Sequence, residues 1–199
     1  MNRLFLIRHG TTEPPGGERF YGSTDLPLSK EGRRQAECLA ARLSSDNVNM
    51  IFTSPLERAL ATTRIIATKN KISFNIIEGL SEVDFGKWEG LSFEEIQARY
   101  PDESEKWLNN PWIFNFPGGE SVPDFKARVI RSLQKNIDFE GDLVIVSHGG
   151  TLRVIISYLG GIEEYEIFRY PLDFAGITIL ELKGMKSNIL VLNDTTHLE

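Results

Sequence analysis

Apolar and polar positions alternate between two rhythms along the chain. Arg3 to Arg8 is a short apolar run, and "LVIVS" from Leu143 is another. Apolar runs of this length predict strands buried on both faces. In "SKEGRRQAECLAARL", Ser29 to Leu43, the spacing becomes helical, with Ala36, Leu39, Ala40 and Leu43 on one stripe. "NMIFT", Asn49 to Thr53, predicts the next strand and runs into "SPLERALATTRIIAT". Ser54 is expected to cap that helix, with Pro55 at its first position and Glu57 as the capping-box partner. "KISFNIIE", Lys71 to Glu78, predicts a third strand. Two small helices follow, one opened by Ser92 with Glu95 and one near Asp102 to Leu108. Ser121 is the expected cap of a longer helix in "ESVPDFKARVIRSLQKN", and "TLRVIISYLG" predicts a helix that stops at Gly160. "GITILEL" and "NILVL" predict two closing strands joined by a turn around Gly184.

Strand and helix alternate through the middle of this order. The pattern predicts a mainly parallel sheet covered by helices on both faces, a three-layer α/β/α sandwich. With no repeat, linker or low-complexity tract, residues 1–199 are expected to form a single domain. Pro101 to Gly119 reads as an irregular, aromatic-rich insertion over one end of the sheet, at about 101–120. Its Trp107, Trp112, Phe114 and Phe116 are first read as packing. The sharper alternative is a lid whose rings stack on a planar substrate.

Composition narrows the classes. Of 199 residues 41% are apolar, enough for one sizeable core. A net charge of −6 argues against a general nucleic-acid binder. No stretch approaches a membrane span, and the N-terminus shows no signal-peptide pattern, so a cytoplasmic protein is expected. Cys38 lies within a helical pattern and reads as a small packed hydrophobe.

Two strand ends carry the chemistry. "FLIRHGTTE" and "LVIVSHGG" both finish an apolar run on His followed by Gly, at His9 and His148. Ligands bind at the carboxyl ends of strands in open α/β sheets, and the glycines let a ligand approach the backbone. If the two strands are neighbours, both imidazoles face one cavity, with Arg8 beside the first. Arg58 stands on the first turn of the helix after "NMIFT". A cation there is unfavourable for the helix itself and points to an external anion, which two arginines can grip. Glu82, in "LSEVDFGKWEG", could give a proton to a leaving group or take one from water. A neutral imidazole is a good nucleophile toward phosphorus. Phosphoryl transfer then needs positioning and positive charge, which the arginines and the second His supply without a metal.

Other motifs lead nowhere. "GERFYGST" has the glycine spacing of a phosphate loop, but Ser23 occupies the lysine position. Ser147-His148 lacks any G-x-S-x-G elbow. The three histidines have no metal-binding companions, so no metal or other cofactor is expected.

"LIRHGTTE" resembles the signature of the histidine phosphatase superfamily, which includes the cofactor-dependent phosphoglycerate mutases. "TSPLERALATT", "LSEVDFGKWEG", "FPGGES" and "VIVSHGG" match further blocks in order, over nearly the whole chain. The resemblance implies a phosphoglycerate mutase-like fold and His9 as the phosphorylated nucleophile. It implies a phosphate pocket of Arg8, Arg58 and His148, with Glu82 as proton donor and Gly149 lining the pocket. The chain departs from the pattern at Pro14-Pro15, where many members have Trp-Asn. Tyr21, or a backbone amide of Gly16 or Gly17, is the expected replacement for that Asn. "FGKWEG", "NPWIFNFPGGES" and "LNDTTHL" look most like alpha-ribazole phosphatases of cobalamin synthesis. The expected activity is therefore hydrolysis of a small phosphomonoester, with alpha-ribazole 5'-phosphate as the foremost substrate, by a monomer or homodimer. A broad-specificity phosphatase, a phosphoglycerate mutase and a non-catalytic phospholigand-binding module are the alternatives.

Overall fold

The structure, a computed structural model, describes residues 2–13, 19–137, 140–183 and 186–199. Strand β1 (Asn2–Arg8) leads through helix α1 (Lys30–Leu43) to β2 (Val48–Thr53), and α2 (Glu57–Asn70) leads on to the short β3 (Phe74–Ile76). Helices α3 (Phe93–Arg99), α4 (Pro101–Asn109) and α5 (Val122–Asn136) precede β4 (Asp142–Ser147). Then come α6 (Gly149–Gly160), α7 (Glu164–Ile167) and the strands β5 (Ile177–Lys183) and β6 (Lys186–Asp194). The sheet order is β3-β2-β4-β1-β5-β6. The first four strands are parallel, and β5 and β6 each pair antiparallel with the strand before them in that order.

Side-chain alternation divides the core between the two faces. On β1, Leu4 and Leu6 join the cluster built with α5 and α6, while Phe5 and Ile7 join the one built with α1 and α2. On β4, Leu143 and Ile145 face the first cluster and Val144 and Val146 the second. Both strands are covered on both faces, which is why their sequences lack a polar alternation. Each fully buried Leu, Ile, Val or Phe contributes roughly 1.5–3 kcal/mol relative to exposure. The expected sandwich with a mainly parallel sheet is thus present, β5 and β6 being its antiparallel strands.

The helix starts at Ser92 and Ser121 form as read. Ser92 and Glu95 make a complete capping box, and Ser121 Oγ accepts the Asp124 N–H. Three expectations need correction. Ser54 does not cap α2, because the chain bends through Pro55 to Leu56, which takes the cap position, and the helix opens at Glu57, whose N–H donates to Asp25 Oδ1 at 2.7 Å. Ser54 serves His148 instead. The third strand is only Phe74–Ile76; it lies at the sheet edge, where Asn75 and Ile76 are exposed and Lys71 adopts a left-handed φ of 56°. Nor is Pro101 to Gly119 irregular throughout, since Pro101 opens α4 from its first position and only the part beyond Asn109 departs from it.

Trp107, Phe114 and Phe116 gather around Trp88 with ring centroids 6.2, 5.1 and 5.4 Å away. Their packing holds the 101–120 segment against the α5–α6 face. Cys38 is partly buried on α1. Among the described residues no helix is long and apolar enough to cross a membrane. The turn around Gly184, and Gly16 and Gly17, lie outside the described residues.

Candidate active site

Neighbouring parallel strands bring the two histidines together. Arg8 of β1 is in register with Ser147 of β4, so the next residue of each strand is a histidine and both stand at the same sheet end. The rings meet edge to face with centroids 5.0 Å apart. The His9 N–H donates to Ser147 O at 3.0 Å, which ties the two strand exits. Beyond them the chain presses on α1: a methyl group on Gly10 would lie 2.5 Å from Gly32 O, so no larger residue fits without moving the backbone.

His9 is buried, and its Nδ1 lies 2.8 Å from Gly10 O. A carbonyl only accepts, so Nδ1 carries the proton and the Nε2 lone pair is left for chemistry. Burial, then the charges of Arg58 and Arg8, lower the His9 pKa well below the ordinary histidine value. The ring is therefore neutral at pH 7.

His148 takes the opposite tautomer. Arg58 Nε donates to His148 Nδ1 at 3.1 Å, which leaves the proton on Nε2, 2.7 Å from Ser54 Oγ. Burial and the Arg58 charge lower its pKa well below the ordinary value too. Both ring nitrogens are thus hydrogen-bonded within the protein, and a phosphate oxygen at Nε2 would have to replace Ser54. Arg58 is also tied inward: Nη1 donates to Thr24 O at 2.7 Å and Nη2 to Gly22 O at 2.6 Å. The loop that supplies those carbonyls turns its Gly22, Ser23 and Thr24 amides onto the Glu89 carboxylate. The phosphate-loop-like glycine spacing there holds a carboxylate of the chain itself.

Arg8 is placed differently. Nη1 donates to Leu172 O at 2.7 Å and the guanidinium lies 3.8 Å from the Phe174 ring centroid, while the buried Nε–H has no partner. Burial lowers the Arg8 pKa to about 10, so the group stays charged at pH 7. A buried, charged, unfilled donor beside a neutral imidazole is an anion-binding arrangement.

Glu82 reaches the same place from the loop after β3. Its Oε1 accepts the Val83 N–H at 3.0 Å and its Oε2 the Gly150 N–H at 2.8 Å. A methyl group on Gly150 would lie 2.5 Å from Glu82 Oε1, so the second glycine of "SHGG" makes room for the carboxylate. Gly149 opens α6 at the base of the cup. Tyr21 stands further out, on the wall of a mouth that Arg8, Glu82 and Gly149 also line.

Beside the mouth lies a cavity of about 430 Å³ whose walls include Phe20, Phe85, Trp107, Trp112, Phe116 and Phe168. It shares Glu82 and Gly150 with the mouth. Trp112 and Phe168 meet across it with centroids 5.3 Å apart.

Sequence reasoning missed several residues of this neighbourhood. Arg153, one turn past Gly149, borders both spaces and was open to the argument applied to Arg58, a cation near a helix start. Phe174 carried no signal and Ser54 read only as a helix cap, since the contacts of Phe174 with Arg8 and His9 and of Ser54 with His148 join distant parts of the chain.

Residues 4–195 match the model of the histidine phosphatase superfamily (branch 1), and the chain belongs to that family. It is a phosphoric monoester hydrolase. Phosphoserine phosphatase 1 of Hydrogenobacter thermophilus is 30% identical, with 100% of this chain and 95% of that protein covered. The adenosylcobalamin/alpha-ribazole phosphatase of Escherichia coli is 28% identical, covering 96% of this chain and 95% of that protein. The crystal structure of phosphoserine phosphatase from Entamoeba histolytica, in complex with 3-phosphoglyceric acid, superposes with a TM-score of 0.84 at 30% identity, covering 100% of both chains.

Proposed function

We propose that the protein hydrolyses a phosphomonoester through a phosphohistidine at His9, with alpha-ribazole 5'-phosphate as its substrate. His9 Nε2 attacks phosphorus and the P–O ester bond breaks. The departing alkoxide takes a proton from the Glu82 carboxyl. The Glu82 carboxylate then removes a proton from water, whose oxygen attacks phosphorus. The P–N bond breaks, its electron pair returns to Nε2, and inorganic phosphate leaves. Arg8 holds the charge of the transferring group, burial with the Arg58 charge keeps both imidazoles neutral, and Arg58 holds His148 in place.

The observation that carries the reaction is the tautomer of His9, with Nδ1–H held by Gly10 O and Nε2 left without a proton, in a ring that feels the charge of Arg8. The substrate is argued from the cavity next to Glu82. Its aromatic walls suit a large planar leaving group, and a benzimidazole nucleoside has that shape. Trp112 would then act as part of a lid over the base.

A second reading is phosphoserine. Lys126 and Arg153 stand in the same walls and offer charge for a carboxylate, and the Hydrogenobacter thermophilus relative bears that activity in its name.

Measuring kcat/KM with alpha-ribazole 5'-phosphate, O-phosphoserine and 3-phosphoglycerate decides between them. A preference for phosphoserine would sink the substrate assignment and leave the chemistry untouched. Acid-quenched labelling that finds no phosphoenzyme, or finds it in His9→Ala, would sink the chemistry.

A further inference from the structure

Two arginines among the described residues bury a guanidinium Nε–H that meets no partner: Arg8 and Arg153. They lie against the same residue. A methyl group on Gly149 would come within 3.2 Å of Arg153 Nη1 and 3.7 Å of Arg8 Nε. The other Arg153 contacts are long: Nη1 donates to Gly149 O at 3.2 Å, the edge of the usual range, Nη2 to Tyr170 O at 3.4 Å, and the guanidinium lies 5.2 Å from the Phe168 ring centroid. The charge of Glu82 acts favourably on both guanidiniums, yet neither Nε–H has a partner, and buried unfilled donors on two like charges favour a bound anion.

The placement is also directional. Arg8 borders only the polar mouth, whereas Arg153 borders both the mouth and the aromatic cavity, as Glu82 does. Arg153 therefore stands on the leaving-group side of the cup. Arg58, by contrast, already donates to Gly22, Thr24 and His148.

We propose that Arg153 is a further catalytic residue, whose Nε–H donates to a non-bridging oxygen of the transferring phosphoryl group across from Arg8. The inference rests on the phosphoryl cup argued above. It assigns the partner of Arg8 in gripping phosphate to a residue of α6, in addition to Arg58 of α2. The alternative occupant of Arg153 is a carboxylate on the leaving group, and probes without a leaving group separate the two.

Inorganic phosphate and orthovanadate are such probes. In Arg153→Gln their inhibition constants should weaken by about 10- to 100-fold, the range of a lost hydrogen bond to a charged group. kcat/KM should fall by a similar factor on both p-nitrophenyl phosphate and O-phosphoserine. Arg153→Lys, which keeps the charge and loses the planar fork, should recover part of the loss. Unchanged phosphate and vanadate inhibition would overturn the assignment. A loss confined to phosphoserine would overturn it as well, and would give Arg153 to a substrate carboxylate. If thermal melting shows that the glutamine variant is poorly folded, the lysine variant carries the same comparison. His9→Ala serves as the control: turnover that survives it removes the cup itself. Turnover lost there, with vanadate binding unchanged in Arg153→Gln, removes only the part given to Arg153.

Discussion

The proposed phosphoryl cup and the aromatic cavity beside it share Glu82 and Gly150, yet they are built in different ways. The cup is made from strand ends and a helix start. Its polar atoms are tied to backbone groups: His9 to Gly10 O, Glu82 to two amides, Arg58 to two carbonyls. The cavity is made from side chains of six separate segments, around Phe20, Phe85, Trp112, Phe125, Val154 and Phe168, and Trp112 and Phe168 of its wall are in ring contact. A site whose groups are fixed by backbone resists change, because moving one group moves a strand. A wall of packed rings tolerates substitution at the cost of shape. The contrast suggests that reaction type resides in the cup and substrate choice in the cavity.

Variants divide along that line. The largest effect belongs to His9→Ala, which should lower turnover of every phosphomonoester by at least about 10⁴-fold, as loss of a nucleophile does. Residual activity within tenfold of the parent would end the phosphohistidine account. Glu82→Gln should slow alkyl phosphates by about 10²- to 10³-fold and p-nitrophenyl phosphate by less, since nitrophenolate leaves without a proton. Equal losses on both would assign Glu82 to positioning rather than to proton transfer. Trp112→Ala touches only the cavity. It should raise KM for alpha-ribazole 5'-phosphate by about tenfold and leave inhibition by inorganic phosphate unchanged. If phosphate inhibition weakens as well, the two regions are not separable.

The smallest effect is on stability and comes from histidines, two of them buried in the cup. The pKa values of His9, His148 and His197 are all lowered by burial. Their unfolded forms take up a proton near pH 6.5, whereas the folded forms do so only at lower pH. The unfolded chain therefore binds more protons below pH 6.5, and stability is lost as pH falls through that window. Tm should drop between about pH 7.5 and about pH 5.5. The drop should be shallower in His148→Asn. A flat profile in the parent would show that the histidines titrate normally.

Much of this protein was legible in its residue pattern, for local reasons. Uninterrupted apolar runs with His-Gly at their ends placed His9 and His148 at strand tips, because a buried strand cannot continue through a polar group that needs a partner. The boxes at Ser92 and Ser121 marked helix starts because a cap involves residues three apart. Other features depended on contacts between distant segments. Ser54 reads as a helix cap by spacing, yet its hydroxyl goes to His148, 94 positions away. Arg58 reads as an anion clamp, yet it is drawn onto the carbonyls of Gly22 and Thr24. The protonation of each imidazole follows from which carbonyl, hydroxyl or guanidinium sits beside it. Periodicity along a chain cannot specify that, because those neighbours are set by how strands β1, β2 and β4 line up across the sheet.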